Sequence, residues 1–414
     1  MDNKPTLTVA FVLTTKVHYA LQTYEPIIRH MLTNSNLTTL GISVGKRPMS
    51  QAEHNAMDGI FDVNLENPFN SNWRNGSNSI LNLKPFQFGR LWKSVRKTNR
   101  TYAAFLKLHK PDVLIVQIDR ESPATNLIES AQRLGIPCLL LQGAMSGKNL
   151  SYRSKYSVSN RVAKWLIGYS SGHHLEGQGG CDRIGAWGKS GANYYEHAGL
   201  QSSHVAQVGS PRLDTYMTEL ANSDTTSTCE ILGIEPNTNF TLLATSPLDS
   251  IAEPGENISA IRTIIETAIE VSKQNPNFQL VVKPHPRELP SFEKYGIAEL
   301  CRSSTAVTLA RDISIAEALA ASDRVIVFYS TVALEAALAG KPCIAFNPFN
   351  WNFGEEYTDI KLIDELTSTD QLRDFFTSSK EVLTVGDPSY FITDVGKSAK
   401  SVSSLIHHMA GYKM

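Results

Sequence analysis

The sequence predicts an α/β protein built from two doubly wound, Rossmann-like domains. Short apolar segments rich in β-branched residues alternate with helical patterns in both halves of the 414-residue chain. This alternation is typical of parallel sheets covered by helices on both faces. A polar segment rich in Ser, Thr, Asn and Asp separates the two halves, and such a composition is typical of a linker. The length also fits two or three domains of about 150 residues each.

In the first half, strand and helix patterns follow each other with short connections. In chain order the predicted elements are strand TLTVAFVL, helix 19–32, strand PDVLIVQIDRE, helix 125–134 and strand IPCLLLQGA. Residues 63–85 are predicted to form a long loop, and loops of that length often carry function. The strands are short and apolar throughout, which indicates a sheet buried on both faces.

The second half repeats the pattern of the first. In chain order the predicted elements are strand TNFTLLATS, helix 258–274, strand FQLVVKPHP, helix DISIAEALAAS, strand DRVIVFYS, helix TVALEAALAG and strand KPCIAFN. A last helical pattern runs from Val395 to Met409. We therefore predict an N-terminal domain at 1–215, a linker at 216–237, a C-terminal domain at 238–392 and a C-terminal helix within 393–414 that packs back on the first domain.

Composition excludes several classes of protein. The 39 Lys and Arg nearly balance the 40 Asp and Glu, so the chain as a whole has no net electrostatic attraction for nucleic acid or for an anionic membrane. The five cysteines are scattered and form no C-x-x-C pair, which argues against a disulfide framework or a cysteine-rich zinc site. No apolar run approaches the roughly 20 residues of a spanning helix. We therefore expect a cytoplasmic protein with no metal and no cofactor.

A His-Pro motif ends one of the predicted strands of the second half. Lys283, Pro284, His285, Pro286 and Arg287 follow the buried part of FQLVVKPHP. Two prolines restrict the backbone around the histidine, and ligands of doubly wound sheets bind at the carboxyl ends of strands. A rigid histidine between basic residues is suited to holding a phosphate. The alternative is a surface turn that is basic without binding anything.

A pair of hydroxyl residues ends another strand of the second half. Ser330 and Thr331 stand between VIVFYS and TVALEAALAG, and Glu335 is the only charged residue of that apolar helix. The hydroxyls either cap the helix or bind phosphate oxygens, and Glu335 is a candidate partner for a ribose hydroxyl. Thr245 and Ser246 end a third strand, where an ordinary Ser-Pro turn is the alternative to ligand contact.

The first half has its own polar strand ends. Asp119, Arg120 and Glu121 follow one strand, and a carboxylate there is a candidate general base; a simple surface ion pair is the alternative. Gln142 and Gly143 end the next strand, and the glycine would let a ligand approach the backbone. His18, after the first strand, is a further acceptor-side candidate.

One basic helix is a candidate membrane contact. Arg90, Lys93, Arg96, Lys97 and Arg100 alternate with Leu91, Trp92, Val95 and Tyr102. A basic helix with aromatic residues is suited to an anionic lipid surface or to an acidic acceptor. A solvated helix face is the alternative interpretation. The sequence leaves the oligomeric state open.

Four motifs together resemble the bacterial surface-polysaccharide glycosyltransferases of the GT-B fold. In chain order they are Trp187-Gly188-Lys189-Ser190, Val208 to Asp214, Lys283 to Pro286, and Ser330-Thr331 through Glu335 to Gly340-Lys341-Pro342. Their order and spacing are similar to those of enzymes that use CMP-linked Kdo or sialic acids, and also of CDP-glycerol transferases. The resemblance covers roughly residues 105–345.

The resemblance implies two domains facing a cleft, a nucleotide-sugar donor, most readily CMP-linked, and a hydroxyl acceptor on a capsule or lipopolysaccharide glycan. It implies that His285 contacts the donor phosphate, that Ser330 and Thr331 bind its oxygens, and that Glu335 binds the ribose. Ser210 falls within the second motif and would lie on the nucleotide side. Asp119 or Glu121 would activate the acceptor, although Arg120 separates the two carboxylates.

Other functions remain open at this stage. A UDP-sugar hexosyltransferase and a CDP-polyol phosphotransferase would use the same layout. A sugar-nucleotide epimerase shares it too and needs no acceptor. A non-catalytic nucleotide-binding subunit of an assembly complex would bind nucleotide without transferring anything.

Overall fold

The computed structural model describes residues 4–14, 17–45, 49–68, 85–144, 164–169, 175–236, 238, 240–247, 252–253, 255–328, 330–351, 362–378 and 384–412. The chain divides into two compact units. Unit 1 contains Met1–Thr215 and Tyr390–Met414, and unit 2 contains Tyr216–Ser389. Most of the loop predicted at 63–85 lies outside the described residues.

All strand pairings that the structure describes are parallel. The strands are β1 Thr6–Leu13, β2 Asn36–Ser43, β3 Val63–Leu65, β4 Val113–Val116, β5 Cys138–Leu141, β6 Arg183–Ala186, β7 Val205–Gln207, β8 Phe240–Ala244, β9 Gln279–Lys283, β10 Val307–Leu309, β11 Arg324–Val327, β12 Cys343–Phe346 and β13 Asp364–Leu366. Unit 1 has the sheet order β3-β2-β1-β4-β5-β6-β7, and unit 2 has the order β10-β9-β8-β11-β12-β13.

The helices connect these strands as crossovers. They are α1 Val17–Asn34, α2 Gln51–Asp58, α3 Pro85–His109, α4 Ala124–Gln132, α5 Lys189–His197, α6 Pro211–Ala221, α7 Thr225–Leu232, α8 Glu256–Gln274, α9 Leu289–Lys294, α10 Ile297–Arg302, α11 Ile315–Ala321, α12 Val332–Leu338, α13 Thr369–Thr377 and α14 Ser398–Met409. The interval predicted as a linker, 216–237, is largely helical, because it holds the end of α6 and all of α7. Its polar residues lie in helices instead of an extended connection.

Both faces of the unit 1 sheet are buried, as the continuous apolar strands predict. In β4, Val113 and Ile115 belong to the core on the α1 side, while Leu114 and Val116 belong to the core on the α4 side. Successive side chains of a strand point to opposite faces, so a strand covered on both sides must be apolar at every position. The sequence prediction of two doubly wound domains is confirmed.

Each sheet has a switch point, where the strand order reverses direction. In unit 1 it lies between β1 and β4, and in unit 2 between β8 and β11. Connections leave the sheet on opposite sides there, which opens a crevice at the carboxyl ends of the strands. Residues that follow these strands are therefore the first candidates for ligand contact in each unit.

The C-terminal helix α14 is attached to unit 1 by the second sequence motif. The Asp214 carboxylate accepts hydrogen bonds from the backbone N–H groups of Gly396 and Ser398, at 2.7 Å each, and from the Ser398 hydroxyl at 2.9 Å. Gly209 has a φ of +75°, and a Cβ there would lie 2.3 Å from the Ser398 hydroxyl oxygen. The glycine and the aspartate of this motif therefore have a structural explanation, which is helix capping and close packing.

Within the described residues, none of the helices is both long enough and apolar enough to cross a membrane.

Candidate functional site

Three polar strand ends lie side by side in unit 2. Thr245 follows β8, His285 follows β9 and Ser330 follows β11, and β8 lies between the other two strands. Because the strands are parallel, their carboxyl ends share one edge of the sheet, at its switch point. The structure thus brings together three of the residues that the sequence singled out.

A buried hydrogen-bond network holds the His285 loop against the end of β8. The backbone N–H of His285 donates to Thr245 Oγ1 at 3.2 Å, and Thr245 Oγ1 donates to Glu288 Oε2 at 2.5 Å. Asn257 Nδ2 donates to the other oxygen of Glu288 at 2.8 Å. Thr245 and Glu288 are each 5% exposed. The Thr245 hydroxyl is therefore a positioning group, since it joins β8 to the His285 loop.

The same loop orients the His285 imidazole. The backbone N–H of Arg287 donates to His285 Nδ1 at 3.1 Å. An imidazole that accepts a hydrogen bond at Nδ1 carries its proton on Nε2 when neutral. His285 is partly exposed, so its Nε2–H group is suited to donating to an anionic ligand.

The third strand end supplies two partly exposed hydroxyl residues. Ser330 Oγ accepts a hydrogen bond from the backbone N–H of Val332 at 3.2 Å, so this hydroxyl also closes the turn into α12. The Thr331 side chain makes no hydrogen bond that caps α12. Glu335 lies one turn into α12 and is 3% exposed, and its carbonyl accepts from the Tyr216 hydroxyl at 3.1 Å. Its predicted ribose contact stays a prediction.

The three remaining residues of unit 2 that were predicted to bind nucleotide differ in their burial. Lys283 Nζ donates to the Ile313 carbonyl, and burial lowers the pKa of this half-buried amine. Lys283 therefore links β9 to the segment before α11. Ser246 is buried and Pro286 is exposed.

Ser210 is separate from the other predicted nucleotide-binding residues. It belongs to unit 1, whereas all of the others belong to unit 2. The residue is 1% exposed, and its carbonyl accepts from the backbone N–H groups of Leu213 and Asp214. Its carbonyl thus helps to start α6, and its nucleotide-binding role stays a prediction.

In unit 1, aromatic and basic side chains gather where the strands end. The Tyr19 hydroxyl donates to the Gly143 carbonyl. The Arg212 guanidinium carbon lies 5.0 Å from the Tyr19 ring centre and 5.9 Å from the Trp187 ring centre. Cation–π contacts of this kind hold a guanidinium in a defined place. No role was predicted for Tyr19 or Arg212, although Tyr19 follows His18 and Arg212 lies within the second motif.

Gln142 positions Trp187. Its Oε1 accepts from the Trp187 backbone N–H at 2.8 Å, and its carbonyl accepts from the Trp187 indole N–H at 2.7 Å. Its amide nitrogen donates to the Ala144 carbonyl at 2.9 Å. Gln142 is also 4% exposed, so these contacts give it a structural role, and its acceptor-side contact stays a prediction. His18 is exposed, and its acceptor-side contact stays a prediction.

Asp119 holds a turn and is inaccessible to an acceptor. Its two carboxylate oxygens accept from the backbone N–H groups of Gly177, at 3.2 Å, and Gly179, at 2.7 Å. The residue is 0% exposed, and a Cβ at Gly179 would lie 2.0 Å from the Asp119 carbonyl oxygen. A general base must reach the proton that it removes, so this buried position argues against Asp119, whose catalytic assignment stays a prediction. Arg120 is exposed and Glu121 partly buried, and their roles stay predictions.

Beside Asp119, a second carboxylate has an unusual environment. Glu176 Oε1 accepts from the Tyr195 hydroxyl at 3.1 Å. Burial, and to a smaller extent the charge of Asp119, raise the pKa of Glu176 to about 7, against the opposing effects of Arg120 and Tyr195. Burial also raises the pKa of Asp119. Glu176 was not among the predicted site residues, because nothing in the sequence around it indicates burial.

Replacing Glu176 by Gln should remove the loss of stability that the wild-type protein undergoes as the pH rises from 4.5 through 7. The folded protein holds the Glu176 proton more tightly than the unfolded chain does, because the folded-state pKa is raised from 4.5 to about 7. The stabilising contribution is complete below pH 4.5 and is lost as the pH rises through 7. At pH 8 we expect E176Q to be more stable than the wild type by about 3 kcal/mol, and at pH 4.5 we expect nearly equal stability.

Thermal unfolding across this pH range measures the effect. Glu196→Gln, which changes an exposed acid on the same helix as Tyr195, is the matched control. If E176Q and the wild type lose stability in parallel between pH 4.5 and 8, the assigned environment of Glu176 is wrong.

Among the described residues, no group of three or more His, Cys, Asp or Glu is arranged to hold a metal ion.

Part of the chain matches the sequence profile of one family. The sequence profile of lipid-A-disaccharide synthetase (LpxB) matches residues 181–350. This interval contains β6 to β12 and both the His285 and Ser330 strand ends. No curated protein sequence matches the chain significantly.

Solved structures match nearly the whole chain. UDP-GlcNAc 2-epimerase from Methanocaldococcus jannaschii is 13% identical with a TM-score of 0.64, and the match covers 97% of this chain and 100% of that one. The Neisseria meningitidis UDP-GlcNAc 2-epimerase bound to UDP-GlcNAc is 15% identical with a TM-score of 0.62 and the same coverage. A glycosyltransferase from Rickettsia africae is 13% identical with a TM-score of 0.56, covering 98% and 93%.

These matches define the fold of the chain. Two parallel-sheet, Rossmann-like units in this order constitute the GT-B fold, which the sequence motifs predicted. At these levels of identity the likeness establishes the fold alone, because one fold supports many activities.

Proposed function

We propose that the protein is a glycosyltransferase that moves a sugar from a nucleotide-sugar donor to a hydroxyl group of a glycan acceptor. The observation that carries the proposal is the convergence of His285, Thr245 and Ser330 at the switch point of the unit 2 sheet. Rigid polar groups at this edge are suited to holding a nucleotide phosphate. The match of residues 181–350 to the lipid-A-disaccharide synthetase profile supports the same function.

The chemistry of transfer explains why a fixed histidine is useful. When the bond between the sugar and the nucleotide breaks, negative charge grows on the departing phosphate oxygens. A donor that is already in place stabilises this charge without reorganising. The His285 Nε2–H group is held in this way by the Arg287 contact at Nδ1. Ser330 and Thr331 supply further hydroxyl donors at the neighbouring strand end.

We propose a uridine diphosphate sugar as the donor. The similar N. meningitidis structure holds UDP-GlcNAc, which supports this choice. The CMP-linked donor that the motifs favoured is the competing alternative, and CDP-polyol transfer is a third. All three donor classes would place a phosphate at the same strand ends. The nucleotide base that the protein selects therefore distinguishes uridine from cytidine donors.

We propose that the acceptor is a lipopolysaccharide-type or capsular glycan and that the protein acts in the cytoplasm. The LpxB match supports an acceptor that is linked to lipid. Glu121 is the proposed general base, because Asp119 is occupied by the backbone of the 177–179 turn. This assignment rests on the position of Glu121 after β4, at the unit 1 switch point.

A UDP-sugar 2-epimerase is the second candidate. The epimerase structures match nearly the full length of both chains, which favours this alternative. The two activities differ in one requirement, since a transferase needs an acceptor and an epimerase does not.

An assay of UDP-GlcNAc, with and without a lipid A precursor as acceptor, separates the two candidates. A transferase should release UDP and lengthen the glycan only when the acceptor is present. Formation of a new sugar nucleotide without the acceptor would instead identify an epimerase. Binding of UDP-GlcNAc without any product, tested across a panel of acceptors and UDP-sugars, would contradict both activities.

A further inference from the structure

Helix α3 carries a strongly basic surface. Its 25 residues include Arg90, Lys93, Arg96, Lys97, Arg100 and Lys107 and contain no Asp or Glu. The whole chain has a net charge of −1, so this concentration of positive charge is local. Such a surface attracts anions within about a Debye length, whatever the net charge of the protein.

About three consecutive turns of α3 form a groove on this basic surface. The groove has a volume of about 320 Å³ and is lined by Trp92, Lys93, Arg96, Lys97, Arg100 and Thr101. The Arg96 guanidinium carbon lies 4.3 Å from the Trp92 ring centre, and Trp92 is 36% exposed. The groove therefore combines cationic groups with an accessible aromatic ring.

A short segment of unit 1 adds two exposed apolar side chains beside α3. Ile167 and Tyr169 are buried and pack against Leu91 and Val95 of α3. In the same segment Trp165 is 82% exposed and Leu166 is 52% exposed. Residues 91 and 92 are neighbours on the helix, about 100° apart around its axis. The segment that carries the exposed Trp165–Leu166 pair is thus anchored on α3, the helix that forms the basic groove.

From this arrangement we infer that the α3 surface, defined as the basic groove together with Trp165 and Leu166, docks on an anionic lipid bilayer. Basic side chains attract the headgroups, while tryptophan and leucine side chains enter the interface between headgroups and acyl chains. A nucleic acid or an acidic protein would satisfy the charges but would not require an exposed leucine and tryptophan beside them. A bilayer uses both features, and this favours it as the partner.

The inference goes beyond the proposed transfer reaction and is tested without nucleotide. Co-sedimentation of the full-length protein with phosphatidylcholine vesicles, with and without phosphatidylglycerol, measures it. We expect binding to the vesicles that contain phosphatidylglycerol and little binding to pure phosphatidylcholine. Equal binding to both, or binding to neither, would overturn the inference.

Two variants separate the charge from the apolar contribution. In R96Q/K97Q/R100Q, partitioning should fall about a hundredfold, because each cation at an anionic lipid surface contributes about fivefold. The matched control R133Q/K273Q/R302Q removes three exposed basic residues elsewhere and should bind like the wild type. If the two triple variants bind equally, the α3 surface is not the docking site.

The second variant, W165S/L166S, changes no charge. We expect it to lose about tenfold in vesicle partitioning and to lose the quenching of tryptophan fluorescence by lipids brominated in their acyl chains. A variant that binds vesicles like the wild type would show that the apolar pair does not enter the bilayer. Wild-type binding to a soluble polyanion as tight as to the vesicles would assign the basic groove to a different partner and overturn the inference.

Discussion

His285→Ala should lower the turnover of sugar transfer by about a hundredfold to a thousandfold. The reason is the loss of a positioned donor to the departing phosphate, and single donors of this kind contribute about that factor. The folded structure should persist, because the imidazole is partly exposed and its loss creates no buried cavity. Steady-state kinetics with UDP-GlcNAc and a glycan acceptor measure the change.

His285→Gln tests whether the Nε2–H group is responsible. A glutamine can place an amide N–H near the position of Nε2, so H285Q should be about tenfold more active than H285A. The control His408→Ala, an exposed histidine of α14, should be as active as the wild type. Near-normal turnover in H285A, with an intact fold, would show that the phosphate site lies elsewhere.

Thr245→Val should destabilise unit 2 and weaken nucleotide binding. The valine has nearly the same shape but neither donates to Glu288 nor accepts from the His285 backbone. Leaving a buried carboxylate oxygen without its donor costs about 2–4 kcal/mol. Since the His285 loop loses its tie to β8, nucleotide affinity should also fall about tenfold. Thermal unfolding and calorimetric titration measure the two effects.

Thr241→Val is the matched control for this substitution. Thr241 lies in β8, the strand that Thr245 follows, is 3% exposed and is outside the Thr245–Glu288–Asn257 network. It undergoes the same chemical change, and we expect it to cost about 1 kcal/mol or less. Equal destabilisation in both variants would mean that the network does not position the His285 loop.

The sequence predicted seven of the strands, β1, β4, β5, β8, β9, β11 and β12, and missed the interior strands β2 and β6 and the edge strands. β1, β4, β8 and β11 are buried on both faces, so each is an apolar run that periodicity can detect. β3, β7, β10 and β13 are only three residues long and are the edge strands of the two sheets. Three residues carry no periodic signal, and these strands are defined by the neighbours with which they pair.

For the site, the sequence located the strand ends but not what each side chain does there. His285 was found because the flanking prolines and the preceding strand are local signals. Glu288 and Asn257, which hold its loop through Thr245, come from separate elements that meet only in the folded chain. The contacts of Asp119 were hidden for the same reason, since the turn that binds its carboxylate lies 58 to 60 residues away in sequence.

The most direct test is calorimetric titration of the wild type and of H285A with UDP and CMP, each with magnesium and with a chelator. We predict that the wild type binds UDP in preference to CMP, that the affinity is unchanged by the chelator, and that H285A binds UDP about tenfold more weakly. Preference for CMP would contradict the proposed uridine donor. Binding of neither nucleotide, or equal binding by H285A and the wild type, would contradict a nucleotide site at the unit 2 strand ends.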